Sequence, residues 1–281
     1  MSVPPSSTSR FWSEAIPIIP LILFSLSVFG CLFFLIITSI KSQNDYIVNK
    51  VGLPRQLTLV NFSEVLSKTL FLKWLFNSVL ITTLALAVAF MVAVLLSYGF
   101  SSTEFMLKKL AFSVVSSLMV VPPIVLITPL YEMLANFKWI NTYHGAVSVY
   151  VSWIVPFWTF FLTKFFMGMN RSILDSAKID GATDMTLLAR IILPLSKAPL
   201  MTLATVSTLW VWNDLLISLL FLQKDRLRTL MVGLTVFKGL YTTNVPDTFA
   251  GLIIATLPMV LFYVFGQRFF IKSVISGAVK G

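Results

Sequence analysis

The sequence predicts an all-α integral membrane protein of six transmembrane helices, with a helix–glycine–helix loop between spans four and five. Three observations carry that reading. Of 281 residues, 57% are hydrophobic and 11% charged, against roughly 45–50% and 25% in soluble domains, and the mean hydropathy is +0.91. Six stretches reach the length that crosses a bilayer, roughly 20 apolar residues at about 1.5 Å rise each. These apolar runs are continuous and lack the alternation of a membrane strand, which excludes a barrel.

The stretches run from 16 to 40, 74 to 100, 110 to 135, 144 to 166, 200 to 222 and 249 to 271. The first is preceded by a single charge, Arg10, and carries no small-x-small cleavage signature, so it reads as a retained helix. Pro122, Pro123, Pro129, Pro156 and Pro258 fall within the spans. Each removes a backbone donor, a feature of helices that line a pathway and equally of helices merely shaped for packing. An even number of spans puts both ends on one face with 101–109 and 167–199, leaving 41–73, 136–143 and 223–248 on the other. Lysine and arginine divide 11 to 10 between these faces, so the positive-inside rule does not orient the chain.

Several chemistries are excluded. The single cysteine, Cys31, forbids an internal disulfide and a cysteine-held metal. The lone histidine, His144, sits at a span end and reads as an interfacial residue. The net charge of +10 is scattered between apolar blocks, which suits the headgroups of a lipid bilayer and not nucleic acid. No Gly-Lys pair occurs, so the chain has no phosphate-binding loop of its own.

The loop after span four is unlike the rest. Arg171, Asp175, Lys178, Asp180, Asp184 and Arg190 place six charges in twenty residues. Ser172 and Asp175 form a weak capping box for a first short helix, Gly181 interrupts it, and Thr183 caps a second. Pro194 is poorly compatible with continuing that second helix. Met185, Leu188, Ala189 and Ile192 recur at i, i+3, i+4 and i+7, giving it one apolar face. Three aspartates balance three basic residues, so the segment fits a groove on another protein better than an anionic membrane surface.

The run from Asp175 through Ala177 to Asp180, Gly181 and Ala182, followed by Leu188, Ile191 and Pro194, resembles the EAA signature of permease subunits of ATP-binding-cassette importers. Asp175 and Ser176 stand where that signature has Glu-Ala, and Leu188 replaces its usual aromatic. Asn141-Thr142-Tyr143, Trp212-Asn213-Asp214, Leu227-Arg228-Thr229-Leu230 and the closing Gly277-Ala278-Val279-Lys280-Gly281 are similar to motifs of the maltose-type carbohydrate permeases, specifically the shorter six-span subunit.

The resemblance implies one permease domain over 1–281 in the inner (plasma) membrane, multi-pass, with both termini and a coupling loop at 171–194 in the cytoplasm. It implies three kinds of partner: a homologous second permease subunit, an ATP-binding-cassette ATPase dimer, and an extracytoplasmic solute-binding protein. No cofactor is expected on this chain, which is not an enzyme, with ATP and Mg on the partner ATPase. The coupling residues would be Asp175, Ala177, Asp180, Gly181, Ala182, Leu188 and Pro194, with Leu188 and Ile192 buried in the ATPase groove. Closure of the ATPase would then rock the spans between outward and inward access.

An ionisable group inside a span is costly and usually functional. Asp214, with Asn213, Trp210 and Trp212, is therefore a candidate for the solute pathway or a gate, or alternatively for an interhelical hydrogen bond, which is favoured. Asp45, Glu64, Asp225 and Asp247 are candidate contacts on the external loops. The alternative function, a self-sufficient secondary transporter or channel, calls for symmetric broken segments in two halves. None is evident.

Overall fold

The computed structural model describes residues 18–68, 70–240 and 244–278; Arg10, the first two positions of the first predicted span and the closing residues 279–281 lie outside these. All regular structure among the described residues is helical. Four helices are long and apolar enough to cross a membrane: α1 (Ile18–Ser39), α4 (Phe71–Ser102), α7 (Tyr143–Met167) and the first part of α13 (Val245–Ala278). They coincide with the first, second, fourth and sixth predicted stretches. α7 and α13 run unbroken through Pro156 and Pro258.

The third and fifth stretches are not single helices. The third divides into α5 (Lys108–Ser117) and α6 (Pro123–Asn136). Pro122 is extended, with φ −61° and ψ 131°. Neither it nor Pro123 has an amide to donate, and a residue preceding proline is held out of the helical region. The chain therefore stops and restarts with Pro123 in the first turn, where its missing N–H is not required. The fifth begins earlier than predicted, with α10 (Lys197–Asn213), and breaks at Asp214, whose ψ of 129° is extended, before α11 (Leu216–Phe221). α10 also forms a bent pair, at 75°, with the preceding α9 (Asp184–Leu195), and together they pass as a span.

The described residues form two compact units. The first holds α1, α2 (Gln43–Val48), α3 (Val60–Lys68) and the start of α13. Phe34 of α1 meets Phe249 of α13 edge-on at 5.9 Å. The segment after α1 is drawn together by polar side chains. Lys41 is fully buried, its ammonium donating to Asn49 O at 2.7 Å, and Asn61 Nδ2 donates to Ser39 O and Lys41 O at 2.6 and 2.8 Å. Asp45 accepts from the Arg55 amide at 2.9 Å, and Asp247 is buried and accepts from Asn244 at 2.6 Å. These two predicted external contacts thus serve internal hydrogen bonds.

The second unit holds α4 to α11, with α8 at Arg171–Ile179, the start of α12 (Leu230–Leu240) and the remainder of α13. Its centre is the pairing of α4 with α7. On α4, Ile81, Ala85, Ala89 and Ala93 recur every fourth residue and are fully buried. The alanines let the backbones approach closely, the usual device where lipid offers no hydrophobic drive between helices. Facing them, α7 buries Tyr150, Ile154, Trp158 and Leu162 at helical spacing. Ser97 Oγ donates to Thr159 O at 3.2 Å and Trp158 Nε1 to Ser207 Oγ at 2.8 Å, joining α7 to α4 and α10.

Candidate coupling site

α8 begins one residue earlier than the predicted capping box. Asn170 is the cap, its Oδ1 accepting from the Ser172 amide at 3.0 Å and the Ser172 hydroxyl at 2.8 Å; an asparagine at this position reaches the second free amide of the helix directly. The helix closes as predicted at the glycine. Gly181 has φ +81°, the left-handed corner that a side chain disfavours. The Gly181 amide donates to Lys178 O at 3.0 Å and the Ala182 amide to Ala177 O at 2.9 Å, so the last carbonyls of α8 are satisfied. A Cβ on Gly181 would meet nothing within 4 Å. Thr183 caps α9, accepting from the Thr186 amide at 3.3 Å.

α9 does not end at Pro194. A π turn at Leu188–Ile192 widens the helix, Pro194 then falls in the first turn of the segment that follows, and the helix runs to Leu195. There its missing amide is not needed. Leu187, Leu188 and Ile192 are 1%, 4% and 1% exposed and belong to the core of this chain, together with Ala177 of α8. Met185 and Ala189, expected on the same face, are exposed. Leu188 and Ile192 are therefore not available to a partner's groove, because α9 packs its buried face on its own bundle.

What projects is the corner between the helices: Ile179 at 86% exposure, Asp180, Gly181 and Met185 at 64%. Ile179 was missed in the sequence; an isoleucine between Lys178 and Asp180 off the apolar face was its only signal. The corner is anchored from behind by a side chain 86 positions away, the Tyr98 hydroxyl, which donates to Asp184 Oδ1 at 2.7 Å.

Two of the other motifs, Asn141-Thr142-Tyr143 and Leu227-Arg228-Thr229-Leu230, meet at the opposite end of α4. Asn141, in the left-handed region at φ +59°, donates its amide to Phe221 O at 2.9 Å and accepts the Lys224 amide at 2.9 Å. Thr142 caps α7, and the Tyr143 hydroxyl donates to Asn77 Oδ1 at 2.8 Å. Asn77 Nδ2 in turn donates to Arg226 O and Arg228 O at 3.0 and 2.8 Å, Ser78 accepts the Leu230 amide at 2.8 Å, and Trp74 Nε1 donates to Asp225 O at 2.7 Å. Gly233 packs so closely on Trp74 that a Cβ would lie inside the indole ring. Asp225 pairs with Arg228, and His144 abuts Trp139 edge-on at 5.0 Å and shares a hydrogen bond of 3.2 Å with the Thr142 hydroxyl.

The four pathway candidates separate. Asp214 Oδ2 accepts from the Tyr150 hydroxyl at 2.8 Å and from the amides of Ile217 and Ser218 at 3.0 and 3.2 Å, which makes it the cap of α11 and a tie to α7. Asn213 turns back to Leu209 O at 2.9 Å, and Trp212 is buried. Of the four, Trp210 lines a cavity of about 620 Å³, with Phe157, Trp153 and Ser152 of α7 and Met119 and Pro123 at the α5–α6 break. Its ring lies 5.0 Å from that of Phe157.

This arrangement, a bundle of interrupted apolar helices bearing one polar corner at the end of its longest pairing, is that of a multi-pass membrane permease. Residues 101–274 match the family described as the inner membrane component of binding-protein-dependent transport systems. A putative ABC transporter permease of Caldicellulosiruptor sp. is 32% identical over 249 residues, covering 88% of this chain and 90% of that one. The melibiose/raffinose/stachyose import permease MelC of Bacillus subtilis is 29% identical, covering 89% and 90%. In fold, the chain is similar to the structure of a bacterial ABC transporter involved in alginate import, with a TM-score of 0.83 at 18% identity over 96% of this chain and 100% of the other. The chain belongs to the inner-membrane permeases of binding-protein-dependent ABC importers.

Proposed function

We propose that this chain is the shorter, six-span permease subunit of an importer for a carbohydrate or a related polyol or glycoside, working as one transmembrane domain. α5 with α6 makes the third crossing and α9 to α11 the fifth, and both termini lie in the cytoplasm. The sugar-importing relative supports the solute class. The chain pairs with a homologous second permease, receives solute from an extracytoplasmic binding protein, and itself catalyses nothing and binds no cofactor. ATP and Mg are bound by the partner ATPase dimer.

The observation that supports this reading is the corner at Ile179, Gly181 and Met185, exposed on a loop whose Ala177, Leu187, Leu188 and Ile192 are buried in the bundle. A partner that holds this corner pulls on Ala177 and Leu188, which sit in the core with α4 and α7, so closing of the ATPase moves the spans as a body. Asp175, Asp180, Ala182 and Pro194 shape the corner and its approach. Trp210 and Phe157 give the pathway one aromatic wall, against which the apolar face of a sugar ring stacks.

Proteoliposomes containing this chain, its companion permease, the ATPase and the binding protein should take up melibiose or raffinose only with ATP. Uptake by this chain alone, without ATP, would overturn the reading.

A further inference from the structure

Beside the corner lies a second cavity, of about 360 Å³, at the level where α4 ends at Ser102 and α7 at Met167. Both helices are long apolar spans, so this level is a membrane surface. Arg171, Leu174, Asp175 and Lys178 line the cavity from α8, at i, i+3, i+4 and i+7, a single face of that helix. Ser101 and Ser102 also line it, the Ser101 hydroxyl donating to Tyr98 O at 3.1 Å and lying 3.2 Å from that of Ser102, and Glu104 and Lys108 complete the wall.

The charges on this wall are not equivalent. Lys108 donates to Glu104 at 2.8 Å, and this hydrogen bond and charge hold the Glu104 carboxyl below its usual range, so that pair is neutralised in place. Asp175 is exposed. Arg171 and Lys178 make no ion pair with any described residue. The wall therefore carries three cations against two carboxylates, an excess of one positive charge, with Arg171 and Lys178 the cations outside the Lys108–Glu104 pair; guanidinium and ammonium groups are the donors that a phosphate group takes up.

The segment around the lining residues Glu104 and Lys108 supplies an independent sign. Phe105, Met106, Leu107 and Leu110 are 45%, 97%, 56% and 61% exposed, beside Lys108 and Lys109. Apolar side chains turned outward next to lysines are the composition of a segment lying in the headgroup layer.

We propose that this cavity binds the phosphate of an anionic phospholipid, with Arg171 and Lys178 on the phosphate oxygens and the acyl chains running past Phe105 and Leu110. A free phosphate ion shares the headgroup chemistry; the exposed apolar segment around Glu104 and Lys108 selects the lipid. The lipid would fasten α8 to the ends of α4 and α7, so the anionic lipid content of the membrane sets how firmly the corner is tied to the spans. This goes beyond the transport reading and does not depend on it.

The test reads lipid mass on the chain itself. The intact native assembly is purified in nanodiscs of phosphatidylglycerol and phosphatidylcholine, and native mass spectrometry counts the phosphatidylglycerol retained on this chain. The wild type should keep one more than the variant carrying Arg171→Gln and Lys178→Gln, and the charge-preserving Arg171→Lys with Lys178→Arg should keep it too. Equal retention by the Gln variant would overturn the site. Should that variant not assemble, Ser102→Cys in a Cys31→Ser background, alkylated with a bulky maleimide after assembly, should expel the lipid; retention after labelling would overturn the site as well. Inorganic phosphate in excess should leave the lipid bound, and its displacement would reassign the cavity to a free anion.

Discussion

The Tyr98 hydroxyl donates to Asp184 at 2.7 Å and so joins the end of α4, the longest helix in the central pairing, to the first turn of α9 behind the exposed corner. A hydrogen bond to a charged group contributes about 1.5–3 kcal/mol, enough to decide whether a short loop moves with its bundle. Tyr98→Phe removes the donor and little else. The expected outcome is ATP hydrolysis that continues while sugar uptake per ATP falls severalfold, with faster hydrogen exchange at the amides of 184–188. Unchanged exchange there would remove Tyr98 from the coupling path.

The corner and the buried face of α9 should respond to substitution in opposite ways. Ile179→Asp and Met185→Asp alter side chains that stand in solvent, so the chain should fold and insert normally while ATPase co-purification drops by about an order of magnitude, equivalent to roughly 1.4 kcal/mol. Leu188→Ala empties a site that is 4% exposed and should cost about 2–5 kcal/mol of stability, seen as a lower unfolding temperature in detergent before any partner is added. Normal stability of the Leu188 variant with selective loss of ATPase would restore Leu188 to the docking surface.

These two outcomes trace the limit of what the sequence encodes legibly. Four spans were readable because an apolar run longer than a bilayer is thick has few alternatives. The corner was readable because a glycine between two capped amphipathic segments has a local cause. What the apolar face of α9 packs on was not, since such a face reads the same whether it meets its own bundle or a partner; nor was the departure by which Met185 and Ala189 fit the repeat yet stand exposed while Leu187, off it, is buried. Nor was the break at Asp214. Residues 215–222 are apolar but for Ser218, so the run hides the break; the cap itself is local, to the amides of Ile217 and Ser218, while the tie to Tyr150, 64 residues away, is not visible in the sequence. The Pro122-Pro123 break was visible as a pair of prolines, but a kink and a full stop differ by what α7 places against them.

Asp214 and Trp210 lie four positions apart and should behave as different kinds of residue. Asp214→Ala leaves the Tyr150 hydroxyl and the amides of Ile217 and Ser218 without their acceptor, at about 1–3 kcal/mol for each buried group that finds no other partner. Asp214→Asn keeps an acceptor oxygen and should lose less. Both should lower thermal stability and leave the ranking of transported sugars unchanged. Trp210→Ala, at a half-exposed ring on the cavity wall, should do the reverse, raising the sugar concentration needed for half-maximal uptake with the unfolding temperature held. A changed sugar ranking in Asp214→Asn would return the carboxylate to the pathway.

Asn77 makes the strongest demand at the other end of α4. It is fully buried and uses both ends of its amide, donating to Arg226 O and Arg228 O and accepting from Tyr143, so one side chain closes the loop before α12 onto α4 and α7 together. Asn77→Asp is nearly the same size but has no hydrogen to give, and it turns a negative charge toward two carbonyl oxygens. It should destabilise more than Asn77→Ala, although alanine leaves a void, because burying an unpaired charge costs more than losing contact area. Tyr143→Phe removes only one of the three bonds and should cost about 1 kcal/mol. Thermal unfolding of the three variants in one detergent gives the order directly. An aspartate variant as stable as wild type would mean that the loop is held by Trp74 and Ser78 alone.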